Sequence, residues 1–453
     1  MSKTHRHYEV AVIGAGIVGI SVAYYLAVKY GVARIALIDQ RDPMSLTSAQ
    51  SGENYRNWWP DTVMKSFTDD STELMERIAR DSGNAIAMTR RGYALVTRRQ
   101  NPSDLLQELR RAYGEDVRFH DGHSASAAYA RSSSAWEEAP SGVDVLSGPN
   151  LIRDVFPAYA DDVRTVLHIR RAGSISGQQL GQYMLEELRA KGGGLVRAKV
   201  ISIDAGKPFS LELRTGSETQ TIVADKVVNA AGPFVSDVAR MLEVDLPVEN
   251  VFQQKISFED RLAVVPRDLP FTIDLDPQTL AWSEEDREIL LGDPEARKFT
   301  ETMIGGIHCR PDGPYDGAWI KLGWAYNKSP TEPHLEDPID PQFPDIVLRG
   351  ASRLQPGLAK YIGRLPRNAH HYGGYYTMTK ENWPLIGPSG PEGAFVAGAL
   401  SGFGTMAACM SGSICADWVM GGELVPYAKI LTTDRYSEPD FAADLSGGSR
   451  GLL

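Results

Sequence analysis

Hydrophobic and polar positions near the start of the chain fall into short, well-bounded elements. Val10 to Ile13 is an apolar run, followed by Gly-Ala-Gly-Ile-Val-Gly at 14–19 and a helical apolar pattern through Leu26. A second apolar run, Arg34 to Ile38, stops at Asp39. Strand, glycine turn, helix and strand in that order predict a βαβ unit and hence a parallel sheet. From Val63 onward Phe67, Leu74 and Ile78 recur at helical spacing with acidic residues between them, and Pro60-Asp61 marks where that helix begins. Gln178 to Lys191 reads as a helix ended by three glycines. A strand from Leu195 to Ile203 and another from Thr221 to Val228 follow it.

Between Val251 and Tyr376 the period shortens. The alternating runs Gln254–Phe258, Ile304–Cys309 and Ala318–Trp324 are separated by Pro, Gly and Asp, which predicts a largely antiparallel sheet distinct from the first. Asp276 to Glu301 is acidic and partly helical, an insertion on the rim of that sheet. After Gly387 the apolar strand Ala394–Ala399 meets Ser401-Gly402-Phe403-Gly404 and a small-residue helix through Trp418.

A chain of 453 residues exceeds what one core normally holds, so two domains built from discontinuous segments are expected, α/β in class. The net charge of -11 disfavours a sequence-independent grip on nucleic acid or anionic lipid and turns attention to a small-molecule partner. Cys309, Cys409 and Cys415 show neither metal-ligand spacing nor a disulfide framework, so no metal is expected and a reducing compartment is. The leader Met1–His7 is short and polar and no apolar stretch is long enough to span a bilayer, so residence in the cytoplasm is the working expectation.

The chemistry begins at the glycines. Gly14 suits a tight turn, Gly16 lets backbone approach a phosphate, and Gly19 lets helix pack on strand; Asp39 at the end of the next strand would accept ribose hydroxyls. The same signature fits NAD and FAD. A second glycine-rich strand and helix near the C-terminus favours FAD, because an N-terminal nicotinamide domain would not usually need it.

Five landmarks in order carry a resemblance over nearly the whole chain: Gly14–Gly19; Ser48-Ala49-Gln50-Ser51-Gly52; Val228-Asn229-Ala230-Ala231-Gly232-Pro233; Asn382-Trp383-Pro384-Leu385-Ile386-Gly387; and Gly398-Ala399-Leu400-Ser401-Gly402-Phe403-Gly404. The chain resembles the D-amino-acid oxidase and sarcosine oxidase (DAO) superfamily of FAD-dependent oxidoreductases. The resemblance implies a Rossmann-like FAD-binding domain (residues 1–85, 168–250 and 377–435), a largely antiparallel β-sheet substrate domain (86–167 and 251–376), and a C-terminal tail (436–453). It implies cofactor contacts from Ser48, Ser51 and Gly52, from the backbone around Val200, from Ala231 and Gly232, and from Gly402, Phe403, Gly404, Thr405 and Met406. Members often carry Gly-His-Gly where this chain has Gly402-Phe403-Gly404. The implied activity is oxidation of a C–N bond in a small amine or amino acid by hydride transfer to flavin.

Lys321 resembles the lysine that sits by the flavin N5 in sarcosine oxidases, where its charge favours oxygen reduction to hydrogen peroxide; a lysine snorkelling at a sheet edge is the plain alternative. The flavin-attaching cysteine of monomeric sarcosine oxidases is replaced near Gly374, and Gln50-Ser51 offer no histidine, so FAD is expected to be noncovalent. Met406 replaces a basic residue that helps hold the substrate carboxylate. Candidate replacements are Arg56, His308 and Arg310, the last two on one face of a strand; the plain alternatives are a loop arginine, a core histidine and a strand cap. Tyr55, Trp58, Trp59, Trp324 and Tyr376 could line an aromatic pocket or be core. The rival readings are a dehydrogenase of a 2-hydroxy acid or amino acid serving a quinone or carrier protein, and an FAD-containing assembly factor without turnover.

Overall fold

The computed structural model describes residues 6–121, 129–132 and 135–437; the expected tail lies outside the described residues from 438 onward. Strand Arg6–Ile13 runs parallel to Ile35–Asp39 on one side and to Glu218–Asn229 on the other. Central parallel strands are covered on both faces, so they need near-continuous apolar sequence, and Val10–Ile13 with Ile35–Ile38 supply it. Glu218–Asn229 is long enough to serve two further neighbours. Its first half pairs antiparallel with Phe209–Thr215 and its last residues pair parallel with Ala394–Gly398. The C-terminal strand is thereby brought beside the N-terminal one, and helices Ile17–Tyr30 and Gly404–Met420 pack together against the sheet. Gly412 is what lets them meet, because a Cβ there would fall within the Ser21 backbone.

The strand expected at 195–203 is two. Gly194–Arg197 extends the parallel sheet beside Ile35–Asp39, whereas Lys199–Asp204 joins a three-stranded meander with Phe209–Thr215 and Glu218–Asn229. The break falls at Ala198, whose N–H donates to Asp39 O at 2.8 Å and diverts the chain from one layer to the other. Helix Thr62–Asp81 starts where the sequence predicts, because the Asp61 carboxylate accepts the N–H groups of Val63 and Met64 at 2.8 and 3.0 Å.

The second sheet has nine strands in the order His370–Met378, Glu249–Glu259, Trp319–Gly323, Ile307–Pro311, Phe271–Asp274, Tyr93–Thr97, Thr165–Ile169, Val143–Ser147, Val117–His120. Only two neighbouring pairs in it are parallel. Strands Thr165–Ile169 and His370–Met378 belong wholly to this sheet, so domain boundaries placed at 168 and 377 cut through strands. Helix Phe343–Leu354 covers one face, over a core that includes Ile256, Phe258, Ile320, Leu322 and Trp324. Strand alternation turns Lys255, Lys321, Gly323, His308 and Arg310 to the other face, toward the nucleotide-binding half. Among the described residues no helix is long and apolar enough to cross a membrane.

Candidate active site

The glycine turn is shaped by sterics at two positions. Gly14 has φ 107°, and a Cβ there would overlap the carbonyl of Ala230, while a Cβ on Gly19 would overlap the carbonyl of Gly14. Gly16 caps helix Ile17–Tyr30, whose first-turn amides open onto the cleft as a ready anion site. Ser48 Oγ accepts the Ile17 N–H at 3.0 Å. Asp39 accepts Ala15 N–H at 2.8 Å on one oxygen and Arg41 N–H at 2.9 Å on the other, and each oxygen keeps a further lone pair for a ribose hydroxyl.

These groups line a solvent-open cleft that also draws on the serine loop and on the glycine-rich turn before the C-terminal helix. Gly14, Gly16, Asp39, Ser48, Ser51, Gly52, Ala231, Gly232, Gly402, Gly404, Thr405 and Tyr376 all border it. Thr405 donates to Ser51 Oγ at 2.7 Å and so ties the serine loop to the C-terminal helix. A Cβ on Gly402 would overlap the Tyr376 ring by reaching within 2.6 Å of Cε2. Three residues expected at the cofactor stand behind the lining instead. Phe403 packs edge-on against Trp59 at 4.8 Å, Met406 is buried with its carbonyl accepting from Ser71, and Val200 belongs to the apolar layer under the meander. No cysteine or histidine lines the cleft among the described residues, and Gly374 abuts Gln50, where a Cβ would sit 3.3 Å from the glutamine Cβ. The cradle fits FAD held noncovalently.

Lys255 borders the cleft while Arg56, Arg310 and Lys321 stand behind its lining, and the fold treats these four cations in two ways. Lys321 pairs with Glu53 at 2.7 Å and Asp312 at 3.4 Å. Arg310 donates to Gly52 O at 2.8 Å and pairs with Asp312 at 2.9 Å, so its fork is spent on the serine loop and is not an open clamp. Burial alone would raise the Asp312 carboxyl, but Arg310 and Lys321 bring it below the usual carboxylate range. Glu53 also accepts the Gly177 N–H at 2.9 Å, which fixes the loop from its far side.

Arg56 and Lys255 have no such partners. Arg56 is 1% exposed, and its Nε and both terminal nitrogens lack any hydrogen-bond acceptor. Its guanidinium lies over Trp59, Tyr93 and Trp58 at 4.9, 5.5 and 5.6 Å, and burial lowers its pKa. Lys255 borders the cleft, and burial depresses its pKa to about 8. His308 is kept neutral, its pKa depressed to about 4 by burial and by the nearby Lys255; its Nδ1 donates to Gly306 O at 3.1 Å.

The aromatic candidates separate by the face they occupy. Trp58 and Trp59 fill two different core clusters with Arg56 between them. Trp324 is not a pocket residue: it falls on the opposite side of its strand from Lys321, packs in the core on Tyr326, and donates to Ile304 O at 3.2 Å. Tyr55 likewise alternates away from Arg56 and spends its hydroxyl on Thr89 O at 2.7 Å. The sequence reading missed Glu53, Asp312 and Lys255. Lys255 was within reach of the alternation in Gln253-Gln254-Lys255-Ile256-Ser257-Phe258, which sets polar residues at every second position opposite Ile256 and Phe258.

Comparison with known proteins agrees with this geometry. The profile of the family described as FAD dependent oxidoreductase (DAO) matches residues 9–418. The chain is 26% identical over 259 residues to an uncharacterised oxidoreductase, YurR, of Bacillus subtilis, covering 55% of this chain and 61% of that protein. It is 22% identical to mitochondrial dimethylglycine dehydrogenase of Homo sapiens, covering 95% of this chain but only 44% of the relative. The chain therefore spans less than two thirds of the length of these relatives. Among solved structures, L-proline dehydrogenase from P. horikoshii superposes with a TM-score of 0.71 at 17% identity, covering 96% of this chain and 98% of the other. Iminodiacetate oxidase from Chelativorans sp. BNC1 gives 0.66 at 18% identity, covering 92% and 97%. The glycine cradle, the two sheets and the matched profile agree: the chain belongs to the FAD dependent oxidoreductase (DAO) family.

Proposed function

We propose that the protein oxidises the C–N bond of a small amino acid or amine, of secondary or D-amino-acid type, by hydride transfer to FAD, with O2 as the acceptor and hydrogen peroxide as product. The observation that carries this reading is Arg56. A buried guanidinium without an acceptor is costly unless a ligand completes it, and a carboxylate would satisfy it bidentately. Bound in the cleft, FAD supplies the hydride acceptor. The protein's part is positional: Arg56 holds the carboxylate, Trp58, Trp59 and Tyr93 keep water from it, and Tyr376 walls the cleft beside the serine loop.

Four cations against two carboxylates leave this region positively biased, which supports oxygen reduction there, since superoxide gains from fixed positive charge. One observation favours a second reading. Glu53 neutralises Lys321, the residue that resembles the oxygen-activating lysine, as suits a dehydrogenase serving a quinone or carrier. The three cysteines are buried and unpaired, which supports a cytoplasmic setting.

The test is anaerobic bleaching of the purified yellow protein by D- and L-amino acids, N-methyl amino acids, 2-hydroxy acids and amines lacking a carboxylate. Bleaching by carboxylate-bearing amines is expected, with peroxide on admission of air. Peroxide-free turnover that needs a quinone selects the dehydrogenase reading, and a flavin bleached by nothing in the panel refutes both.

A further inference from the structure

Lys255 stands at the middle of strand Glu249–Glu259, between Gly323 on one neighbouring strand and Tyr372 on the other. Its Cε passes 3.9 Å from where a Cβ on Gly52 would lie, which sets the amine against the serine loop. Nζ has one long contact, to Gln50 O at 3.4 Å, and lies 5.5 Å over the Tyr376 ring. The remaining ionisable groups on this face are already committed. Lys321 and Arg310 are engaged by Glu53 and Asp312, Tyr372 and Tyr376 are held protonated by burial, and His308 is uncharged. On the far face, Asp345 and Arg349 of helix Phe343–Leu354 pair with each other at 2.6 Å, and His371 bonds to Gln254. Among the described residues, Lys255 is the lysine bordering the cleft with no anionic partner.

We infer that Lys255 is the base that takes the proton from the substrate's ammonium nitrogen, so that the amine enters hydride transfer uncharged. The inference rests on the amine-oxidising function proposed above. The ammonium gives up one proton and keeps the N–H bonding pair as a lone pair; Nζ takes the proton and becomes –NH3⁺. The lone pair then assists departure of the α-hydrogen with its two electrons to FAD, which is reduced as the substrate becomes an iminium. A protonated amine has no lone pair to give, so without a base only the small free-amine fraction of the substrate could react. Burial supports the role, since at a pKa of about 8 roughly a tenth of Lys255 is neutral at pH 7. Once protonated, it leaves a cation at the cleft where negative charge has just arrived.

The experiment is anaerobic stopped-flow reduction of the FAD-loaded enzyme at subsaturating substrate, from neutral to alkaline pH, for wild type, Lys255→Met and Lys255→Arg. In wild type the second-order rate should rise about tenfold per pH unit and level near pH 8. Both variants should be slower by roughly 10²–10⁴-fold at neutral pH. They should converge on wild type only above the substrate's own amine pKa, a pattern that lost packing would not produce. Arginine retains the charge but cannot give up its proton, so Lys255→Arg separates the two properties. In the substrate-free holoenzyme, the ¹³Cε resonance of labelled lysine that disappears in Lys255→Met should titrate near pH 8. A variant profile that overlays wild type, or a resonance that titrates at the ordinary lysine value, overturns the inference alone. A wild-type flavin that no amine bleaches overturns the proposed function and the inference with it.

Discussion

Replacing Arg56 with methionine should make the protein more stable and worse at holding its substrate. The guanidinium is fully buried, and none of its three nitrogens has an acceptor. The aromatic faces of Trp59, Trp58 and Tyr93 give back part of the desolvation cost, up to about 2 kcal/mol for a well-placed dry cation–π contact. The penalty for burying one ion is several kcal/mol, so a deficit remains, and burial lowers the Arg56 pKa in keeping with it. Methionine keeps much of the stem and removes the charge, and replacing buried ionic groups by apolar ones gains about 1–4 kcal/mol where packing survives. On the ligand side, truncating one member of a buried, hydrogen-bonded charge pair costs about 2–5 kcal/mol, or roughly 30- to 4,000-fold in Kd. The assay pairs the urea midpoint of the substrate-free, FAD-loaded protein with Kd from anaerobic bleaching, using the best substrate and its decarboxylated analogue. The midpoint should rise, Kd for the amino acid should weaken, and Kd for the analogue should stay put. A lower midpoint with unchanged Kd for both ligands would mean that Arg56 is a structural cation, and would remove the carboxylate from the proposed substrate.

Lys255 carries a stability signature of its own: its folded pKa of about 8 lies below the ordinary lysine value of 10.5, so the unfolded chain binds more protons between those values and stability rises with pH across that window. Lys255→Met should therefore add up to about 3 kcal/mol at pH 7, a gain that shrinks as pH rises from about 8 to 10.5 and is read from urea midpoints against pH. Lys321→Met removes the 2.7 Å partner of Glu53 and should loosen the serine loop, weakening FAD retention by on the order of 1–3 kcal/mol in a flavin-fluorescence dilution assay. Slower reoxidation by oxygen with unchanged retention would instead assign that lysine to oxygen. Gly323→Ala would push a Cβ into His308 Nε2 and to 3.1 Å from Lys255 Cγ, so substrate Kd and the Lys255 titration should both shift while circular dichroism stays native; unchanged values would show that the strands yield without moving either side chain.

The glycine cradle could be read from sequence because local sterics demand those residues: Gly14 and Gly19 each meet a carbonyl that leaves no room for a Cβ. The alternation of the second sheet was legible for the same reason, since period two belongs to the strand and not to its partners. Phase was the weak point. Trp324 falls on the opposite face from Lys321 and Tyr55 on the opposite face from Arg56, so neither aromatic shares a face with the cation near it in sequence, a relation that spacing alone already carries. The break at Ala198 was not legible, because it depends on a hydrogen bond to the carbonyl of Asp39, on a strand far away in sequence.

What no local pattern could supply is the fate of the cations. Arg310 and Lys321 meet Glu53 only because the serine loop folds over a sheet formed more than two hundred residues later, and until that contact exists Arg56, Lys255, Arg310 and Lys321 are equivalent charges on a string. Folding makes them unequal: two carboxylates take Arg310 and Lys321 as struts for the loop, and Arg56 and Lys255 are left without a carboxylate partner. The whole chain carries a net charge of -11, which by itself would favour cationic partners, yet this one face is short of anions. For buried groups such as Arg56 and Lys255 the nearest few charges outweigh the distant surface, which salt screens within about 8–10 Å. On the proposed function this local deficit would select the ligand, and an amino acid would answer it at both ends: its carboxylate at Arg56, and its ammonium proton at Lys255.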